Sequence, residues 1–229
     1  MSSLLKVVAI DGPAGSGKST TAKEVAKRLG WQYIDTGAMY RALALAVLKA
    51  DGDPTVEEDV RPILDKTTIT LEPGLPIKVF LNGENVSDLI RTPEVSQGAS
   101  QVSVHSFVRN YMVASQQHLG QQHPSVLEGR DITTIVFPDA GLKVYLDASV
   151  EERARRRLAD YAAQGSEMTL EEVIEDVKIR DQRDSQRAEG PLTKSRFAEI
   201  IDTTSLTIEE QIEAILTLAR ARFNLENEA

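Results

Sequence analysis

Val7-Val8-Ala9-Ile10-Asp11-Gly12-Pro13-Ala14-Gly15-Ser16-Gly17-Lys18-Ser19 joins an apolar run of strand character to the spacing G-x-x-x-x-G-K-S and then to a helical pattern. Glycines let the backbone curl until several N–H groups point inward, where side chains would block the approach of an anion. A helix opening at about Gly17 adds its positive dipole end. Lys18 is long enough to reach the β and γ phosphates of a nucleotide, and the Ser19 hydroxyl can ligate Mg²⁺. The alternative is a glycine-rich turn that binds nothing, but the motif is complete and lies between the two elements a phosphate loop requires.

Outward from this stretch, the composition bounds what surrounds it. A chain of 229 residues, 41% hydrophobic and 27% charged, can bury one sizeable α/β core with a small appended subdomain. Its formal charge of −9 argues against non-specific binding to nucleic acid or to an anionic membrane, both of which need a broad basic field. The sequence holds no cysteine, which excludes a disulfide framework, a thiolate zinc site and a thiol nucleophile. No apolar run approaches a membrane span and a strand begins within a few residues of the first, so a cytoplasmic location is expected.

Five short apolar runs, at 7–11, 33–35, 126–128, 142–146 and 199–202, read as strands of a parallel sheet, each followed by polar or helical sequence. Capping boxes mark four helix starts, at Thr55 with Glu58, Ser149 with Glu152, Thr169 with Glu172 and Thr207 with Glu210. Residues 67–86 break this pattern. Segments 68–71 and 77–81 alternate like half-exposed strands, with Pro73-Gly74 between them and Asn82-Gly83 as a hairpin turn, which predicts a small antiparallel insert. Helical sequence follows over 93–122, and insert and helices together are expected to form a lobe facing the phosphate loop. Residues 149–188 read as two charged helices joined at Gly165-Ser166, a candidate mobile lid.

Further candidate chemistry lies at the C-terminal ends of the expected strands, where open α/β sheets bind ligands. In Asp35-Thr36-Gly37-Ala38-Met39-Tyr40-Arg41, Thr36 at a helix start offers a hydroxyl and an N–H to an anion and Arg41 adds charge; an ordinary cap with a solvated arginine is the alternative. In Glu128-Gly129-Arg130-Asp131, the Arg can donate to a phosphate, the Asp can accept from a base and Glu128 can hold waters of a Mg²⁺ shell; the alternative is a turn with a local cap. Arg180, Arg183 or Asp184, and Arg187 share one helical face, either solvated or clamping phosphates with planar bidentate donors. Arg153, Arg155, Arg156 and Arg157 form a second basic run in which Arg153 and Arg157 share a face; one of the run is a candidate to pack on a nucleotide base or bridge phosphates when the lid closes, and most are expected to be solvated. The three histidines, His105, His118 and His123, have no metal-ligand spacing and read as structural.

Taken together, GPAGSGKST at 12–20, DTGAMYR at 35–41, EGRDI at 128–132, FPDA at 137–140 and RDQRDSQR at 180–187 resemble bacterial cytidylate kinases, in the long form that carries an antiparallel insert. The likeness runs over about residues 5–220, with several motifs in order at family-like spacing. It implies a P-loop kinase fold: a five-stranded parallel sheet flanked by helices, a small antiparallel β insert and a helical lid. The whole chain is then one P-loop kinase unit, with a monophosphate-binding lobe over 55–122 and the lid and Arg-rich helix over 150–188.

The implied activity is transfer of the ATP γ-phosphoryl group to CMP or dCMP in pyrimidine nucleotide metabolism, with ATP and Mg²⁺ as cofactors, small nucleotides as the partners, no nucleic acid or membrane, and a monomeric state. Gly12, Pro13, Ala14, Gly15, Ser16, Gly17, Lys18, Ser19 and Thr20 would hold ATP together with Arg157; Ser19 would ligate Mg²⁺, with Glu128 acting through water. Thr36, Tyr40, Arg41, Arg130 and Arg187 would surround the acceptor phosphate, and Arg180 and Asp184 the sugar hydroxyls. Ser100, Arg109 and Asp131 match the family's base-reading residues, while Lys18, Arg130, Asp131 and Arg187 would carry catalysis. The base readers suit cytosine: Asp131 and Ser100 can accept from its amine and Arg109 can donate to N3 and O2, whereas uracil opposes two of these groups at a cost of about 1–3 kcal/mol each.

Two positions depart from the family pattern. Thr36 stands where Ser is common, which keeps the hydroxyl; Thr133 stands where Gly is usual, and since a β-branched residue disfavours positive φ, a shifted turn beside Asp131 is expected. Rival readings are another small-molecule kinase on the same scaffold, with uridylate, adenylate or shikimate as acceptor, and a nucleotide-sensing switch. No Asn in the chain is followed by Lys, so the guanine-reading N-K-x-D is missing.

Overall fold

The continuous apolar run Val7-Val8-Ala9-Ile10 needs cover on both faces, and it occupies the middle of the sheet. The computed structural model describes residues 4–74, 76–163, 165 and 167–225. The chain runs through β1 (Val7–Asp11), α1 (Lys18–Leu29), β2 (Gln32–Asp35), α2 (Thr36–Lys49), α3 (Glu57–Leu64), β3 (Ile69–Glu72), β4 (Lys78–Leu81), β5 (Glu84–Asn85), α4 (Pro93–Val102) and α5 (Ser106–Gln122). It continues through β6 (Ser125–Gly129), β7 (Leu142–Asp147), α6 (Val150–Ala162), α7 (Leu170–Gln186), β8 (Glu199–Asp202) and α8 (Ile208–Phe223). Five strands form a parallel sheet in the order β2-β6-β1-β7-β8, with β1 held between β6 and β7 and every residue of β1 and β6 buried. Strand order reverses beside β1, so the phosphate-loop motif leaves the sheet where α/β folds open a crevice.

The antiparallel insert is present as the sheet β3-β4-β5. Asn82 and Gly83 both take positive φ between β4 and β5, as a two-residue hairpin turn of this type demands. Helix α2 lies between the two sheets, touching β6 on one side and β3, β4 and α4 on the other. Hence its Ala38, Met39, Ala42, Leu43, Ala44 and Val47 are all buried, and each large side chain among them contributes about 1.5–3 kcal/mol. Apolar residues of the insert, including Ile69, Val79 and Leu81, are thereby continuous with the main core. Helices α6 and α7 have a separate apolar cluster of Ala154, Tyr161, Val173 and Val177.

Thr169 and Thr207 make the full reciprocal boxes; Ser149 caps through its hydroxyl, while Glu152 turns to Arg155 and Arg156 instead. The box at Thr55 does not form. Its N–H and hydroxyl both donate to Asp53 Oδ1, an Asx-type turn that outcompetes the cap, and α3 starts after Val56 with no side-chain cap. Of the expected joint between α6 and α7, Gly165 takes positive φ and Ser166 lies outside the described residues.

Candidate active site

At the end of β1 the chain turns through the glycine-rich loop into α1, whose cap is Gly17 with φ 90° and ψ 1°. No side chain caps this helix, so its first amides stay available to an anion. Lys18 folds back over the loop, donating from Nζ to the Pro13 carbonyl at 2.6 Å and to Ser16 Oγ at 3.3 Å. Burial and the neighbouring Arg130 hold its ammonium well below the usual lysine range, against the pull of Glu128. Ser19 and Thr20 are exposed in the first turn. Glu128, at the end of β6, is buried and accepts from Tyr33 Oη at 2.9 Å; burial and Asp35 raise its carboxyl pKa while Lys18 and the Ser19 hydroxyl draw it down. A serine hydroxyl beside a carboxylate is a hard-oxygen pair, and it fits a small divalent cation that keeps part of its water shell.

Across the crevice, Asp35 rather than Thr36 caps α2, taking the Ala38 N–H at 2.8 Å and pairing with Arg41 at 2.8 Å. Thr36 spends its hydroxyl hydrogen on the Glu128 carbonyl at 2.6 Å. Arg109 and Asp131 form a buried ion pair between Nη2 and Oδ2, and Arg109 Nη1 lies 3.5 Å from the Tyr40 hydroxyl, whose pKa burial pushes up to about 12. Gly190, at φ 56°, crosses directly over that pair. Its carbonyl accepts from Arg187 Nη2 at 2.8 Å.

Thr133 does not adopt positive φ; the non-glycine residues that do, among those described, are Asp51, Asn82 and Asn224. Residues Ile132–Val136 form a π-turn instead. Within it, the Ile132 and Thr133 amides each donate to the Asp11 carboxylate at 2.8 Å and the Thr133 hydroxyl does so at 2.6 Å. Burial pushes Asp11 up to about 6 against these three donors.

The face of α7 lies on α4 as a ladder of arginines on serines. Arg180 reaches Ser96, Arg183 reaches Ser100 and Arg187 reaches Ser103, each at 3.2 Å. Asp184 is buried between them and accepts from Arg130 Nε at 2.8 Å. The Nε atoms of Arg180 and Arg187 are buried without a hydrogen-bond partner, which suits an anionic or hydroxyl-bearing ligand on this face. In the second basic run only Arg155 is largely solvated. Arg157 lies between α6 and α7, over the Tyr161 ring and 3.1 Å from Asp176, whereas Arg153 touches the phosphate loop, donating to the Ala14 carbonyl at 3.2 Å and pairing with Asp181 at 2.7 Å.

The family model described as cytidylate kinase matches residues 8–221. The chain belongs to that family. A cytidylate kinase of Desulfitobacterium hafniense is 46% identical over 92% of this chain and 91% of its own length. One of Caldanaerobacter subterraneus subsp. tengcongensis is 47% identical over 96% and 97% respectively. Among solved structures, an uncharacterized protein from Eubacterium ventriosum superposes with a TM-score of 0.51 at 14% identity, covering 94% of this chain and 98% of that one, a likeness of fold alone.

Several contacts of this crevice carried little signal in the sequence. Ser96, Ser100 and Ser103 follow an i, i+4, i+7 pattern that complements Arg180, Arg183 and Arg187 at i, i+3, i+7, so the ladder was readable only by pairing the two helices. Gly190-Pro191 is an ordinary turn signal. Asp11 reads as the polar end of a strand, and nothing in its surroundings points to residues 121 and 122 positions later.

Proposed function

We infer that the protein transfers the γ-phosphoryl group of ATP to CMP or dCMP, yielding ADP and the corresponding diphosphate. The observation that carries this reading is the buried Arg109–Asp131 pair, tied through the next two residues to the strand that begins the phosphate loop, in a chain this similar to proteins named cytidylate kinase. Asp131 and Ser100 accept from the cytosine amine, and Arg109 donates to N3 and O2. Residues 12–20, with Arg157, hold ATP. Thr36, Tyr40, Arg41, Arg130 and Arg187 gather round the acceptor phosphate, and Arg180 and Asp184 take the sugar hydroxyls.

In this reading an acceptor phosphate oxygen attacks the γ-phosphorus in line, a new P–O bond forms as the bond to the β-phosphate oxygen breaks, and ADP leaves with the electron pair. No general base is needed, because the acceptor's second pKa is near about 6 and it is largely dianionic at neutral pH. Lys18, Arg130 and Arg187 neutralise the charge that spreads over the transferring group, while Asp131 fixes the acceptor base in register. Mg²⁺, held by Ser19 with Glu128 through water, would add charge neutralisation at the β and γ phosphates. The α6–α7 pair, with its own small apolar cluster, serves as the lid, and residues 55–122 as the acceptor lobe. The enzyme acts as a cytoplasmic monomer; no helix among the described residues is long and apolar enough to cross a membrane.

The test is ADP formation from Mg-ATP with CMP, dCMP, UMP, AMP or no acceptor in parallel. Stimulation by CMP and dCMP supports the reading. Stimulation chiefly by UMP or AMP removes the cytosine assignment of Ser100, Arg109 and Asp131, and slow hydrolysis indifferent to acceptor replaces the kinase with a nucleotide switch.

A further inference from the structure

A carboxylate with no exposed surface is costly unless its oxygens are fully bonded. Asp11 meets that demand in an unusual way: all three of its donors come from two consecutive residues of one turn, Ile132 to Oδ1 and Thr133 twice to Oδ2. Thr133 gives the shortest of them, a hydroxyl on a carboxylate, which is the stronger kind of hydrogen bond. The turn so held begins at Asp131, whose carbonyl takes the Ile135 and Val136 amides at 2.9 and 3.2 Å and whose carboxylate meets Arg109. Asp11 itself is the last residue of a central strand, in register with Gly129 on one side and Tyr145 on the other. The next residue, Gly12, opens the phosphate loop.

We propose that Asp11 and Thr133 are positioning residues for acceptor selection: together they clamp the turn that aims Asp131, so that the end of one strand sets both the phosphate loop and the base-reading carboxylate. This rests on the reading of Asp131 as a reader of cytosine. In-line transfer tolerates little error in the separation of two bound nucleotides, since reacting atoms must come within about 3–3.5 Å, and a shared strand end is a short path for fixing it. The threonine hydroxyl is the adjustable part of the clamp, because the two amides are supplied by any residue other than proline.

The test compares wild type, Thr133→Val, which keeps the volume and the amide and deletes the hydroxyl, and Thr133→Ser, which restores the hydroxyl. Each is assayed with CMP and with UMP at saturating Mg-ATP, with KM for ATP measured separately. In Thr133→Val, KM for CMP is expected to rise about tenfold with kcat within about twofold, the preference for CMP over UMP in kcat/KM to fall about tenfold, and KM for ATP to stay put. Thr133→Ser should restore all of these. The proposal is overturned if Val matches wild type in KM for CMP and in preference, if Ser is impaired as much as Val, or if KM for ATP and for CMP rise together as in a general loosening. Thermal melting is followed throughout, and if Thr133→Val does not fold, Thr133→Ala carries the same comparison. A wild-type enzyme that is not stimulated by CMP refutes the cytosine reading, and the proposal with it, before any variant is measured.

Discussion

Gly190→Ala is expected to be among the most damaging single-methyl additions in the molecule. Two costs combine. At φ 56° an alanine pays about 1–2 kcal/mol of backbone strain. Its Cβ would also overlap Arg109 Nη2 and Asp131 Oδ2 and lie 2.8 Å from Arg109 Cζ. Neither partner has room to retreat, as Arg109 is 3% and Asp131 6% exposed. Either the pair separates, at about 3–5 kcal/mol for a broken buried ion pair, or the strap lifts and gives up the charged hydrogen bond from Arg187 to the Gly190 carbonyl, at about 1.5–3 kcal/mol. The smaller of the two still totals about 2.5–5 kcal/mol with the strain, or a fall in melting temperature of roughly 5–20 °C for a chain of this size. Because either route disturbs Arg109 or Arg187, KM for CMP should rise by about 10²-fold. Gly83→Ala is the control. It also sits at positive φ, 85°, but nothing lies within 4 Å of its added Cβ, so it should cost only the strain and leave KM for CMP alone. Urea unfolding with parallel steady-state kinetics reads both quantities. The reasoning is refuted if Gly190→Ala is no less stable than Gly83→Ala and binds CMP normally.

Arg187→Ala should lower kcat at saturating substrates by on the order of 10³-fold, as for other arginines that stabilise a transferring phosphoryl group; a loss under about tenfold would remove it from that role. Lys18→Met should abolish ADP formation without lowering the melting temperature, because it deletes a buried ammonium bonded only to its own loop; a marked loss of stability would show the lysine to be a structural tie. Burial alone would raise the Asp184 carboxyl, but Arg130, Arg180 and Arg187 outweigh it and hold it below 3.8. Its contribution to stability is thus present above pH 3.8 and lost as pH falls through the lower folded value, so Asp184→Asn should flatten the acid limb of the unfolding free energy; an unchanged slope would assign that limb to other carboxylates.

Segments whose structure follows from local chemistry were legible in the sequence. Each of the five sheet strands lies on the apolar run that marked it, with ends moved by at most one residue. Asn82-Gly83 marked its hairpin because few other residues accept positive φ at both positions. Thr55 misled because Asp53, two residues earlier, offered its hydroxyl a nearer acceptor than the helix end did. Arg153 and Arg157 share a helical face, and their sequence cannot show that the first turn of α6 lies on the phosphate loop while the second meets α7. The departure at Thr133 was visible, but its meaning lay in a carboxylate 122 residues away. Periodicity fixes which way a side chain points on its own element; what it meets there depends on how the elements pack.

The strand order also dictates a sequence of events in synthesis. Among the described residues β1 pairs only with β6 and β7, and β2 only with β6, so the two strands made first have no partner in each other. Ribosomes add about 5–20 residues per second, so the nascent chain waits roughly ten seconds between finishing residue 11 and reaching residue 129. Meanwhile the β3-β4-β5 hairpins, which are local in sequence, and the α2–α4 contacts, which need nothing beyond Val102, can assemble. The half of the molecule that would receive the acceptor takes shape early. The loop that would hold ATP acquires its supporting sheet only when β6 and β7 arrive, and until then Val7, Val8, Ala9 and Ile10, fully buried in the fold, lack the neighbouring strands that flank them.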